Sequence, residues 1–301
     1  MDATILLLGG RGQLGSALLK KLQKVGKIVA TTHNDNDLGP SLNFLKPAAV
    51  KEFVNRLRPH LVINAVAYTG VDAAEKERAA AWTINTDTVW ELASVLAKLD
   101  IPLIHFSTDY VFSGKRRTPY KEYHFADPVN HYGITKLAGE EAIRTASCNH
   151  LIIRTSWLYG PNGKNFFTAI CDKVRNSEPL LVVDDQIGQP TSVGSLADQV
   201  ISWLRGNDFH RLINECSGTY HVSAGGACSW YDFAKRIVAK SPKPHTHVKN
   251  ITSNSMKKAA RRPAYSVLDT SKAHNMLGVT LEHWSCDVDR IIGNFYSSKL
   301  G

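Results

Sequence analysis

The chain has 301 residues, 43% of them hydrophobic, and carries 36 lysines and arginines against 27 aspartates and glutamates, a formal net charge of +9. That length buries a full core as one large domain or two modest ones, and no apolar run is long enough to span a bilayer. The five cysteines are odd in number and include no Cys-x-x-Cys pair, which excludes a disulfide framework and a zinc knuckle. Along the chain, the first apolar run, 5–8, has no basic stretch before it and reads as a strand rather than a signal peptide, so the cytoplasm is the expected compartment. Gly9-Gly10-Arg11-Gly12-Gln13-Leu14-Gly15 follows at once, then 16–22, where Leu18, Leu19 and Leu22 share a helical face. Strand, tight turn and helix make a dinucleotide loop: Gly9 permits the turn, Gly12 lets backbone approach a pyrophosphate, and Gly15 allows close helix packing. Gly9, Arg11, Gly12, Gln13 and Leu14 are therefore candidate cofactor-binding residues.

The second strand, 28–31, ends where an acidic residue would receive the adenosine ribose of NAD; this chain has Thr32 and then His33. Without that carboxylate nothing repels a 2′-phosphate, and Arg11 can pair with one, so NADPH is expected, with NADH as the alternative. Further apolar runs at 61–64, 103–107 and 151–155 alternate with helical stretches, an order that predicts a doubly wound parallel α/β sheet of the Rossmann type.

The run 101–106 ends in Ser107-Thr108-Asp109-Tyr110, and Tyr132-Gly133-Ile134-Thr135-Lys136 opens a helical stretch over 134–146. Ligands of open α/β sheets bind beyond the carboxyl ends of the strands, where Thr108 falls. Tyr132 and Lys136, four apart, share a helix face, so an ammonium can favour a phenolate while Thr108 holds a carbonyl beside it. The three are the candidate catalytic residues of a nicotinamide-dependent reductase. After Trp157 the pattern becomes irregular, punctuated by Pro161-Asn162-Gly163, Gln189-Pro190-Thr191 and Gly225-Gly226. Residues 1–156 are expected to form the cofactor domain, with one or two later returns to the sheet, and 157–301 mainly a smaller α/β substrate domain.

The positive charge is scattered. Lys115-Arg116-Arg117 and Lys257-Lys258 with Arg261-Arg262 lack interleaved stacking aromatics, so neither nucleic acid nor membrane is expected and the charge suits a small polyanion. His245 and His247 lie in a polar stretch and read as a solvated loop rather than a metal site.

With these motifs in place the chain resembles the extended short-chain dehydrogenase/reductases. Asn64-Ala65-Val66-Ala67-Tyr68-Thr69-Gly70-Val71-Asp72-Ala73-Ala74-Glu75, Arg154-Thr155-Ser156-Trp157-Leu158-Tyr159-Gly160, Asp185-Gln186-Ile187-Gly188-Gln189-Pro190-Thr191 and Ala260-Arg261-Arg262-Pro263 narrow the resemblance to the dTDP-4-dehydrorhamnose reductase family. It implies reduction of the 4-keto group of a dTDP-linked 6-deoxy-4-ketohexose to dTDP-L-rhamnose. Tyr132 would donate the proton, Lys136 would lower the tyrosine's pKa and contact the nicotinamide ribose, and Thr108 would hold the oxygen. The resemblance also assigns Asn64, Ala65 and Ala67 to the cofactor, Thr108, Asp109, Tyr110 and Trp157 to the sugar, and Asn165 and Arg262 to the diphosphate or nucleotide. A glutamate that some members use to dimerise around magnesium is matched by Ala17, so no required metal is expected and the chain is read as a monomer or metal-free homodimer. The rivals are a reductase of another deoxysugar, a sugar-nucleotide dehydratase or epimerase, and a regulatory subunit like that of methionine adenosyltransferase. A dehydratase would place Asp-Glu after the threonine; Asp109-Tyr110 stands here.

Overall fold

The computed structural model describes residues 3–32, 39–205, 209–256 and 258–297; His33 and Lys257 lie outside them. The first half runs β1 (Thr4–Leu8), α1 (Gln13–Leu22), β2 (Lys27–Ala30), α2 (Pro47–Leu57), β3 (Leu61–Asn64), α3 (Val71–Ala74), α4 (Arg78–Trp82), α5 (Thr88–Leu99), β4 (Leu103–Thr108), α6 (His131–Ala146) and β5 (His150–Thr155). The second runs β6 (Leu158–Tyr159), α7 (Phe166–Arg175), β7 (Leu180–Val183), β8 (Ile187–Gly188), β9 (Thr191–Ser192), α8 (Val193–Leu204), α9 (Phe209–Glu215), β10 (Gly218–His221), β11 (Cys228–Ser229), α10 (Trp230–Ala239), β12 (Val248–Ile251), α11 (Ser271–Leu277) and α12 (Trp284–Ser297).

The strands of the main sheet read as near-continuous apolar runs because both faces are covered. β3, β4 and β5 are buried at every position. Six strands pair in the order β10-β5-β4-β3-β1-β2, all parallel. One face packs Leu14, Leu18 and Leu22 of α1 with Leu196, Val200 and Trp203 of α8, and the other packs Val50 and Val54 of α2 with Leu92 and Leu96 of α5. The strand β10 at the edge of this sheet and the helix α8 packed on it come from beyond residue 157. A separate apolar cluster joins Phe167 and Ile170 of α7, Phe233 and Ile237 of α10 and Val288 and Phe295 of α12, beside the parallel pair β7 and β12.

Two local features set the site. The helical stretch expected over 134–146 starts earlier, at His131, because the Asn130 side chain accepts from Gly133 N at 2.8 Å and caps the first turn. Tyr132 is thereby placed in a regular turn. A π-helical turn, Thr83–Asp87, links α4 to α5 and carries the buried Asn85, whose Nδ2 donates to Thr135 Oγ1 at 2.9 Å. A Cβ on Gly139 would lie 2.2 Å from the Asn85 carbonyl oxygen, so only glycine lets α6 approach there.

Candidate active site

The glycine loop is built for a close backbone approach. Gly9 holds φ at +84°, and a Cβ on it would stand 2.8 Å from Val66 Cγ2. Gly12 N donates to Gly9 O at 2.9 Å, and a Cβ on Gly15 would be only 2.0 Å from that same oxygen. Gly12 is the N-cap of α1 without a side-chain cap, so the first N–H groups of the helix keep their capacity for an anion. A cavity of about 350 Å³ opens there, lined by Gly12, Gln13 and Leu14, by Ala65 and Ala67 after β3, and by Thr108, Asp109, Tyr132, Lys136 and Trp157. A dinucleotide fits this set: uncapped amides for its diphosphate beside small residues that leave room for its sugar.

Not every sequence candidate lines that cavity. Gly9 shapes the turn, and Arg11 is exposed. Thr32 is 1% exposed and its backbone is held by Pro40 and Leu42. Asn64 turns inward: its Oδ1 accepts from Val66 N at 3.0 Å and its Nδ2 meets His105 Nδ1 at 3.1 Å, fixing the loop that carries Ala65 and Ala67.

Thr108, Tyr132 and Lys136 converge. Lys136 is 1% exposed, and its Nζ donates to Phe106 O at 2.7 Å and lies 3.2 Å from His105 Nε2. Burial pulls its pKa down to about 8, against the pull of the Glu140 charge. Burial pushes the Tyr132 phenol up to about 12; a hydrogen bond with Thr108 works against that rise and the Asp109 charge adds to it. The sequence expectation that Lys136 draws this phenol toward phenolate is therefore not met here. The ammonium faces Phe106 and His105, and Tyr132 stands as a neutral phenol with its proton to give.

Asp109 is 2% exposed; burial raises its pKa to about 7, with the Ser266 and Thr108 hydroxyls opposing. Its Oδ1 accepts from Thr108 Oγ1 at 3.1 Å, while Oδ2 and the Ser266 hydroxyl are buried near each other without closing a normal hydrogen bond. Tyr110 packs edge-on to Tyr132, ring centroids 6.1 Å apart, and interacts with Arg262. Arg262 itself forks onto Asp72, with contacts of 3.2 and 2.7 Å, and donates to Ala260 O.

Asn165 caps α7: its side chain accepts from Thr168 N and its Nδ2 donates to Gly160 O at 3.0 Å. Trp157 adopts φ of +45°, an unusual conformation for a bulky residue. Its indole stacks on Trp230 at 3.6 Å with the planes 5° apart, and a Cβ on Gly188 would strike it at 2.4 Å. Trp230 in turn lines a second cavity, of about 590 Å³, with Phe166, Gln186, Arg261 and Arg262.

A family model described as the RmlD substrate binding domain matches residues 3–297. The dTDP-4-dehydrorhamnose reductase of Shigella flexneri is 34% identical over 300 residues, covering 98% of each chain. The chain belongs to the dTDP-4-dehydrorhamnose reductase family. A dTDP-4-dehydrorhamnose reductase from Bacillus anthracis, solved in complex with NADP, superposes with a TM-score of 0.87 at 32% identity, covering 98% of this chain and 100% of that one. A probable dTDP-4,6-dihydroxy-2-methyloxan-3-one 4-ketoreductase of Streptomyces antibioticus is 37% identical over 264 residues, covering 87% and 85%.

Within this family member three groups escaped the sequence reading. His105 left one trace, a polar residue inside an otherwise apolar strand. Glu140, fully buried, is held by Arg154 at 2.6 and 2.9 Å, by Ser107 Oγ at 2.5 Å and by Arg144 at 3.2 Å. Its only trace was one turn of spacing from Lys136. Trp230 carried none, because its stack on Trp157 is made by tertiary packing. Among the described residues no three His, Cys, Asp or Glu side chains form a metal-holding group, and no helix is long and apolar enough to cross a membrane.

Proposed function

We propose that this protein reduces the 4-keto group of dTDP-4-dehydro-6-deoxy-L-lyxo-hexose to give dTDP-L-rhamnose, with NADPH as the cofactor. The observation that carries the reading is the cavity that brings the α1 N-terminus and Thr108, Tyr132 and Lys136 together. When bound, the cofactor supplies hydride to the carbonyl carbon. Gly12, Gln13 and Leu14 hold its diphosphate, Ala65 and Ala67 border its ribose, and Lys136 anchors the nicotinamide side. Thr108 orients the substrate oxygen, and Tyr132, neutral at physiological pH, donates the proton that completes the alcohol; a positioned acid of this kind contributes about 10²–10⁴-fold in rate.

Trp157, clamped between Trp230 and Gly188, forms the wall against which the deoxysugar lies. The second cavity takes the nucleoside diphosphate, with Phe166 and Trp230 for the base and Arg261 and Arg262 for charge. Asn165, committed to capping, shapes that cavity through Phe166. The likeness to the Streptomyces 4-ketoreductase supports a second reading, another dTDP-linked 4-keto-deoxysugar with the same chemistry. We read the protein as cytoplasmic, a monomer or metal-free dimer, with residues 1–156, β10 and α8 as its cofactor domain. Incubation with NADPH and each ketosugar nucleotide, with product identified by NMR, tests this. Formation of dTDP-L-rhamnose supports the first reading, and exclusive turnover of another ketosugar supports the second. NADPH binding without reduction of either contradicts both.

A further inference from the structure

The hydrogen bonds around Thr108 raise a problem for the reaction just described. A hydroxyl has one proton and two lone pairs. Thr108 Oγ1 accepts from Tyr110 N at 3.2 Å and lies close enough to Tyr132 to bear on its phenol. Its own proton goes to Asp109 Oδ1, 3.1 Å away. A carboxylate there is an acceptor only, so as long as Asp109 is ionised, Thr108 has no proton left for a substrate oxygen. A protonated Asp109 reverses the bond: the carboxyl donates to Oγ1, Tyr110 N still donates, and the threonine proton turns to the cavity that both residues line.

We infer that Asp109 is a positioning residue whose protonated carboxyl frees the Thr108 hydroxyl to donate to the substrate carbonyl, while its carboxylate locks that hydroxyl away. This rests on the reductase reading above. The surroundings support the acid form. Asp109 is 2% exposed, and its Oδ2 is buried beside the Ser266 hydroxyl without closing a normal hydrogen bond, an arrangement that a neutral acid, able to donate to that hydroxyl, meets at less cost than a charge. The groups facing it are Thr108 and Tyr110 on its own turn, Tyr132 on α6 and Ser266, with Lys136 of α6 lining the same cavity. Arg262 reaches Tyr110 from the same side, but its guanidinium is already forked onto Asp72. Burial sets the balance between acid and carboxylate at about 7, and a substrate closing the cavity removes more water and favours the acid further.

The sign follows: the competent form is present below the Asp109 pKa and is lost above it. At saturating substrate and NADPH, wild-type kcat is expected to fall about tenfold per pH unit above the apparent pKa of this group. Asp109→Asn keeps an acceptor and places a permanent N–H where the acid proton would be, so its kcat profile is expected to lose that alkaline limb. Infrared spectra of the free protein supply a readout independent of turnover: a protonated-carboxyl band that titrates near neutral pH in the wild type and is missing in Asp109→Asn. An alkaline limb that persists unchanged in Asp109→Asn, or no carboxyl band lost in that variant, overturns the inference. A wild type that reduces no ketosugar but shows the titrating band would overturn the reductase reading and leave the carboxyl assignment standing.

Discussion

Lys136 and Glu140 stand one turn apart on the buried face of α6, and the molecule treats their charges in opposite ways. Glu140 is saturated: Arg154, Arg144 and Ser107 hold its carboxylate well enough that its pKa falls below the usual range despite complete burial. Among the described residues Lys136 meets no carboxylate, only Phe106 O and a histidine that burial keeps neutral. The pair separates stability from chemistry within one helix. Glu140 ties α6 to β5 and β4, whereas Lys136 is left under-compensated where the cavity needs a movable charge.

The largest expected break on the chemical side is Tyr132→Phe, which should cut turnover by about 10²–10⁴-fold with NADPH affinity unchanged, read by steady-state rates and fluorescence binding. On the structural side, Arg154→Ala should cost about 3–5 kcal/mol of stability, because it removes the nearer cation from a buried carboxylate and leaves it Arg144 and Ser107 alone, and urea denaturation measures this. The pH dependence sharpens the contrast. Glu140, with a depressed folded pKa, contributes stability that is present above the ordinary value of 4.5 and is lost as pH falls through the lower folded one. Lys136 has the same sign in a higher window but the opposite cause, its buried charge being the destabilising form: between about 8 and 10.5 the unfolded chain keeps a proton that the folded chain sheds, so stability rises with pH. Lys136→Met should abolish that alkaline rise in denaturation midpoints while reducing turnover. The smallest expected effect lies just past β2, where Thr32→Asp should shift the NADPH to NADH preference by about tenfold through like-charge repulsion if the adenosine ribose is received there, compared from kcat/KM with each cofactor.

Much of this architecture was legible in the residues because parallel strands covered on both faces leave unbroken apolar runs, and a tight turn onto a helix needs its glycines where Gly9, Gly12 and Gly15 stand. Thr108, Tyr132 and Lys136 were legible for the same reason, since strand end and helix face fix their directions. The first turn of α6 was not, because His131, Tyr132 and Gly133 show no helical pattern and the turn depends on the Asn130 cap. Nor was the trap on Thr108 by Asp109, which depends on burial that two adjacent residues do not reveal. Arg262 illustrates the limit of reading side chains singly: an arginine placed for phosphate is already forked onto Asp72, a partner supplied from α3 by the fold. The stack of Trp230 on Trp157 likewise joins two segments through tertiary packing alone.

The central claim is that Tyr132 delivers the proton in a reduction carried out in this cavity. The most direct measurement follows reduced-nicotinamide absorbance as wild type and Tyr132→Phe meet dTDP-4-dehydro-6-deoxy-L-lyxo-hexose, with NADPH binding by both proteins measured in parallel. The account predicts rapid consumption by the wild type, near-complete loss in the variant and equal NADPH binding. Wild-type turnover in Tyr132→Phe would contradict it.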